Sequence, residues 1–170
     1  MKVKEIITAH NAPFYPTQIN RIGEKQLTSI DRYMMYKNNQ DGMIVYYLID
    51  KNDTVPIAAV VVKDIGEYLQ IKIVFVKEEY RGKNLAFKMY HLILYTAYKN
   101  LMSDTEQTSS GKKVWDDLAR IVPIKSLNLT NGEFGDISDA YQETPDIVLV
   151  TDAPKLFESL LIPYLKIQGL

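Results

Sequence analysis

The chain has 170 residues, 46% hydrophobic and 24% charged, with a formal net charge of −1. That composition predicts one globular domain over 1–170 with a sizeable core, and the near-neutral balance gives no global attraction to nucleic acid or to an anionic membrane. There is no cysteine, which excludes disulfides, zinc–thiolate sites and a cysteine nucleophile.

The first residues lack the apolar run of a signal peptide, and no stretch reaches membrane-spanning length, so a cytoplasmic protein is expected. Residues 3–8 alternate and predict a first strand, followed by a proline-bearing loop over 11–16. Over 17–36, Ile19, Ile22, Ile30, Tyr33 and Met34 fall near helical spacing, with Gly23 as a break, which predicts one interrupted helix or two short ones. Residues 43–49 and 55–63 are β-branched and aromatic runs joined by turn residues at 50–53, a hairpin signal. A second turn over 65–67 leads to a third strand of the same meander, 68–76.

Residues 85–100 form the clearest helix pattern, with Leu85, Met89, Leu92, Ile93 and Thr96 on one face. A short extended piece, 101–104, comes next. Thr108 or Ser109 can N-cap a helix to about 121 that turns Val114, Trp115 and Leu118 inward. Two more strands are predicted over 124–129 and 147–150, with a polar loop over 131–144 between them. Pro154 opens a final helix over 155–165.

The richest chemistry lies where the third meander strand empties into the long helix. The turn carries Arg81, Gly82 and Lys83 just before Leu85. A strand feeding a helix N-terminus leaves several backbone N–H groups unpaired and parallel. With the helix dipole, such a turn suits phosphate. Gly82 permits close backbone approach, Arg81 and Lys83 add charge, and Asn84 both tolerates a left-handed backbone and can cap the helix. A solvated basic turn is the plain alternative.

The segment from Val76 to Ala86, with Arg81, Asn84 and Ala86 in place, resembles the acyl-CoA pyrophosphate loop of the GNAT acyltransferases. Asn84 stands where that family prefers glycine. The predicted order of elements is also the GNAT order, so the resemblance covers most of the chain. It implies an α/β (α+β) fold with a mixed, mostly antiparallel sheet of about six to seven strands flanked by helices, and a splayed V-shaped gap for the cofactor. It implies acetyl-CoA or a related acyl-CoA, with its pantetheine arm along Val74, Phe75 and Val76 and its pyrophosphate at Tyr80, Arg81, Gly82, Lys83, Asn84, Leu85 and Ala86. Ser103 and Asp104, followed by Trp115 and Leu118, also resemble a branch of GNAT-like proteins often encoded by bacteriophages, which would place the protein in host cytoplasm.

In that family a base takes the acceptor amine's proton and an acid serves the leaving thiolate. Many members carry a Glu on the splayed strand, but 69–76 holds no acid, and Glu67 reads as a solvated turn residue. Trp115 stands where the family often has a Tyr, and an indole N–H is only a hydrogen-bond donor. Ser103, Ser109 and Ser110 read as hydroxyls that satisfy backbone. Asp104 is the acidic candidate in the gap for proton handling or acceptor orientation, with a turn or cap role as the rival reading.

His10 and His91 lack ligand spacing, and no metal loop, Walker loop or nucleophile elbow is present. The twelve tyrosines can line an acceptor site or a homodimer surface, or sit at the core boundary. Three readings follow: an acyltransferase acting on an amine of a small molecule or protein, a catalytically weak or inactive GNAT-fold protein that binds a partner, and a phage protein modifying nucleic-acid bases. The neutral charge disfavours the last.

Overall fold

The computed structural model describes residues 19–141 and 146–153. The predicted strand 3–8, the loop 11–16, His10 and the helix 155–165 lie outside the described residues.

Segment 17–36 departs most from expectation. Its described part holds no helix but contributes a hairpin, β1 (Lys25–Ile30) and β2 (Tyr33–Gln40). The physical reason is alternation. Thr28, Ile30, Tyr33 and Met35 are buried, a period of two that continues across the turn. Leu27 is the extra residue of a bulge, since Gln26 pairs with Tyr36 and Thr28 with Met35. The turn itself holds Asp31 at φ 53, a left-handed conformation that aspartate tolerates. A second tight turn, Asp41-Gly42, has φ 51 and 77 and returns the chain into β3 (Met43–Asp50).

β3, β4 (Pro56–Asp64) and β5 (Tyr68–Val76) complete an antiparallel meander close to the predicted spans. β3 and β4 are buried on both faces, which explains why they read as continuous apolar runs. Tyr46, Leu48, Val60 and Val62 face one core cluster, and Val45, Tyr47, Ala59 and Val61 the other.

α1 (Leu85–Ala97) follows a 3-10 turn at Glu78–Tyr80 and packs on β4, β5 and β6 (Asn100–Met102). It is buried on more than one stripe: Leu85, Met89, Leu92 and Ile93 as predicted, but also Tyr90, Leu94 and Tyr95. Thr96, expected on the inner face, is exposed, and its hydroxyl donates to the Leu92 carbonyl at 2.8 Å. The extra burial comes from α2 (Ser109–Leu118), which lies against α1. Trp115 is buried there, edge-on to Tyr90 with centroids 5.9 Å apart. Thr108 caps α2 through its hydroxyl, which accepts from the Gly111 N–H at 3.1 Å.

β7 (Ile124–Asn128), β8 (Phe134–Gly135) and β9 (Ile147–Thr151) finish the sheet. β8 and a 3-10 turn at Ile137–Tyr141 occupy what was expected to be loop. The described residues therefore form one mixed, mostly antiparallel sheet of nine strands, ordered β1-β2-β3-β4-β5-β6-β9-β7-β8, with two α-helices. The architecture matches the expected α+β class. Nine strands replace the expected six to seven, because the β1–β2 hairpin and β8 were not anticipated.

Candidate functional site

The sheet divides at β5. β5 and β6 run parallel, and they pair only through Tyr68–Asn100, Leu69–Leu101 and Gln70–Met102. β6 then turns to β9: Met102 pairs with Val150, and the Ser103 N–H donates to the Leu149 carbonyl at 2.8 Å. β5 continues from Lys72 to Val76, paired only with β4 among the described residues. The two halves of the sheet thus leave a wedge whose vertex is Gln70–Met102. Val74 is exposed, and Phe75 and Val76 are half-buried along its β5 side.

A strand edge with no described partner strand can receive an extended chain with amides of its own. β5 also carries a bulge here. Val61 pairs with Ile73 and Val62 with Ile71, so Lys72 is the extra residue. Its ammonium donates to the Asp104 carboxylate at 2.9 Å, directly across the vertex. The Asp104 Oδ1 also accepts from the Thr105 N–H at 2.9 Å. Asp104 therefore stands at the wedge, tied on both sides. Ser103 is buried with its hydroxyl accepting from the Leu149 N–H at 2.9 Å, which is a structural role. Glu67 is exposed in its turn.

At the other end of the β5 edge the chain enters the basic turn. The Lys77 N–H donates to the Ile57 carbonyl at 2.8 Å and fastens the strand end. Gly82 has φ 79, and Asn84 follows with φ 55 and ψ 31. Gly82 and Asn84 thus both take left-handed backbone, two residues apart, at the mouth of the helix. Asn84 occupies the cap position of α1, yet its side chain makes no capping bond, contrary to expectation. The first turn of α1 holds no acid. The helix start therefore has no side-chain cap and no acid of its own to offset its dipole. Arg81, Gly82, Lys83 and Asn84 are exposed, while Leu85 is buried and anchors the helix. Arg81 folds back, its Nε donating to the Val76 carbonyl at 3.1 Å, and Lys83 Nζ lies 5.3 Å from the Tyr80 ring centre.

Tyr80 belongs to a cluster that sequence reasoning missed. Its hydroxyl donates to the buried Asp50 carboxylate at 3.1 Å, and Arg32 from the β1–β2 turn bonds the same oxygen. The other Asp50 oxygen accepts from the Asn52 N–H at 3.2 Å. Burial works against the Asp50 charge, but these donors outweigh it and hold the carboxyl below its ordinary range. Burial and the Asp50 charge together push the Tyr80 phenol up. The Tyr33 ring packs edge-on to Tyr80 at 6.1 Å, and Lys88 on α1 pairs with Asp31 at 3.0 Å. The hairpin turn thus braces both the loop and the helix it opens.

A pyrophosphate fits these residues: left-handed backbone at Gly82 and Asn84, a helix start with no side-chain cap bond and no acid in its first turn, and cations at Arg81 and Lys83. An amide-bearing arm fits along the β5 side of the wedge. Among the described residues, no three His, Cys, Asp or Glu side chains gather as a metal site would require. No described helix is long and apolar enough to cross a membrane.

The tyrosines are mostly accounted for by packing. Tyr33, Tyr46, Tyr47, Tyr90 and Tyr95 are buried. Tyr47 stacks on Tyr36 with centroids 5.8 Å apart and donates its hydroxyl to Glu24. Burial first, and the Glu24 charge after it, raise that phenol well above its ordinary range.

No known family profile matches the sequence, and no curated protein matches it. Among solved structures, the chain is similar to a protein from Bacteroides thetaiotaomicron described as an acetyltransferase of the GNAT family. The identity is 13%, over 76% of this chain and 74% of that one, with a TM-score of 0.40. At that level the likeness adds no weight, and the reading of the site rests on the topology and side chains above.

Proposed function

We propose that the chain is an acyltransferase of GNAT type, a single domain over 1–170, moving an acetyl or other acyl group from acyl-CoA to an amine. One observation carries this reading: the only parallel pairing in the described sheet stops at Gln70–Met102, and the strand edge it frees leads straight into an uncapped helix start with left-handed Gly82 and Asn84. Val74, Phe75 and Val76 then line the amide-bearing arm of the cofactor, with the Val76 carbonyl already accepting from Arg81 Nε. Tyr80 to Ala86 hold its pyrophosphate, with N–H groups of the loop and α1 and the charges of Arg81 and Lys83. When bound, acyl-CoA supplies an activated thioester carbonyl.

The chain's contribution is largely positioning, and holding an amine against that carbonyl removes much of the barrier. Asp104 at the wedge vertex orients the acceptor's ammonium or passes its proton to water. The resemblance of Ser103, Asp104, Trp115 and Leu118 to the phage-encoded branch adds base amines to the acceptors worth trying. The site of action is cytoplasmic on this reading.

A second reading has its own support. β5 carries no acid over 69–76, and Trp115, at the place of the family's usual Tyr, is buried. Those features suit a protein that binds acyl-CoA or a partner without turning over.

The test is release of free thiol from acetyl-CoA in the presence of amine panels: polyamines, aminoglycosides, amino acids, lysine peptides and nucleosides. Thiol release that depends on one amine class supports transfer. Binding without release with every class favours the second reading.

A further inference from the structure

The wedge vertex holds a charged pair at the point where a transferred group would sit. Lys72 is the bulge residue of β5, displaced from the ladder with β4, and it comes two residues after the last pairing with β6. Asp104 stands two residues after Met102 on the other branch. Both side chains leave the same side of the divided sheet, and they meet at 2.9 Å. Both are partly buried, with Lys72 19% and Asp104 28% exposed. An exposed pair of this type is worth little. This one closes a gap between two strands that no longer share backbone bonds, which makes it a feature of the wedge.

The direction of β5 says what Lys72 would meet. Reading backwards from the proposed phosphate loop, β5 runs Val76, Phe75, Val74 toward Lys72, at about 3.3 Å per residue. A cofactor arm anchored at the loop and lying along that strand brings its sulfur end toward Lys72. Among Gln70, Lys72, Ser103 and Asp104, Lys72 is the ammonium, a donor with three N–H bonds and no acceptor. The Ser103 hydroxyl oxygen accepts from the Leu149 N–H, and a serine hydroxyl is a far weaker acid than an ammonium. Trp115 is buried away against Tyr90.

We propose that Lys72 is the proton donor to the departing thiolate, and that Asp104 is the positioning residue that aims its ammonium. This rests on the acyltransferase reading above. In the step, the acceptor amine nitrogen bonds to the carbonyl carbon and the carbon–sulfur bond breaks, its electron pair passing to sulfur. Lys72 Nζ gives a proton to that sulfur. The neutral Nζ then takes the surplus proton from the acceptor nitrogen, so Lys72 ends as it began and no net acid is consumed. The missing acidic residue of β5 and the buried indole are then explained together: one residue serves in both directions.

The test compares wild type with Lys72→Met and Lys72→Arg. Lys72→Met keeps length and removes the proton. Thiol release should fall at least tenfold, while acetyl-CoA affinity by calorimetry stays within about twofold. Lys72→Arg keeps the charge and the bond to Asp104, but a guanidinium does not surrender its proton. It should stay as slow as Lys72→Met, and full recovery of rate in the arginine variant would reduce Lys72 to a structural cation and overturn the donor role.

A binding readout is independent of turnover. Wild type should hold CoA more tightly than desulfo-CoA, and Lys72→Met should lose at least threefold of that preference. An unchanged preference in Lys72→Met overturns the donor role. A wild type that binds acetyl-CoA but releases no thiol with any amine overturns both the donor role and transfer. A wild type that binds no acetyl-CoA overturns the underlying reading itself.

Discussion

Tyr80 and Asp50 lie 30 residues apart in sequence, yet the Tyr80 hydroxyl donates at 3.1 Å to a carboxylate that is otherwise shut away from water. Through Arg32 the same carboxylate holds the β1–β2 turn. The proposed phosphate loop is therefore braced from behind by two other elements. A loop held in its binding shape loses less entropy when a ligand arrives.

Tyr80→Phe removes one brace and keeps the ring that packs on Tyr33. Acetyl-CoA affinity should fall about three- to tenfold with little change in Tm. Asp50→Asn removes the charge shared by Arg32 and Tyr80 and should weaken binding at least as much. Calorimetry on both variants checks this, and wild-type affinity in both would mean that the loop needs no bracing.

Asp104→Asn keeps the shape of the side chain at the wedge and removes its charge. Turnover should fall at least tenfold while acetyl-CoA affinity holds, because the basic turn and the β5 backbone are untouched. Steady-state kinetics beside a titration will separate the two, and undiminished turnover would leave Asp104 as a turn residue bonded to Thr105.

Trp115 is 1% exposed and wedged between α2 and Tyr90 of α1. Trp115→Ala should destabilise the fold by about 3–5 kcal/mol, as other large-to-small core changes do. Chemical denaturation measures it directly. A loss under about 1 kcal/mol would contradict the packing described.

His91 gives the fold a pH signature. Burial lowers its imidazole from the ordinary 6.5 to about 4. Between those values the unfolded chain holds a proton that the folded chain does not. The stability tied to the neutral ring is thus complete above about pH 6.5 and declines as pH falls toward 4. The decline should be on the order of 1–2 kcal/mol after allowing for the ring's partial exposure. His91→Gln should flatten this part of the stability profile, and an identical slope in wild type and variant would refute it.

The sequence was legible where one physical signal dominated. β3 and β4 are buried on both faces and carry long apolar runs, and β5 is rich in β-branched and aromatic residues. α1 was visible because its apolar residues exceed one turn's need. The β1–β2 hairpin was hidden for a specific reason. Residues 25–29 are mostly polar, the bulge at Leu27 shifts the alternation, and Ile30, Tyr33 and Met34 then mimic helical spacing. The Asp41-Gly42 turn is a signal that pattern reading passed over. The strand-to-helix turn over 81–84 was legible because it is local. The Arg32–Asp50–Tyr80 cluster joins three elements, and no spacing in the chain announces it. Lys72 reads as an ordinary strand residue until the bulge and the end of the β6 pairing put it opposite Asp104.

The central claim is that the turn after β5 holds the pyrophosphate of an acyl-CoA. Calorimetric titration of wild type and Arg81→Glu with acetyl-CoA tests it most directly. Arg81 is exposed, so the substitution should leave Tm nearly unchanged while placing a carboxylate beside the phosphates. The account predicts saturable one-to-one binding by wild type and a loss of at least a hundredfold in affinity in Arg81→Glu. Equal affinity in the two proteins, or no binding by wild type, would contradict it.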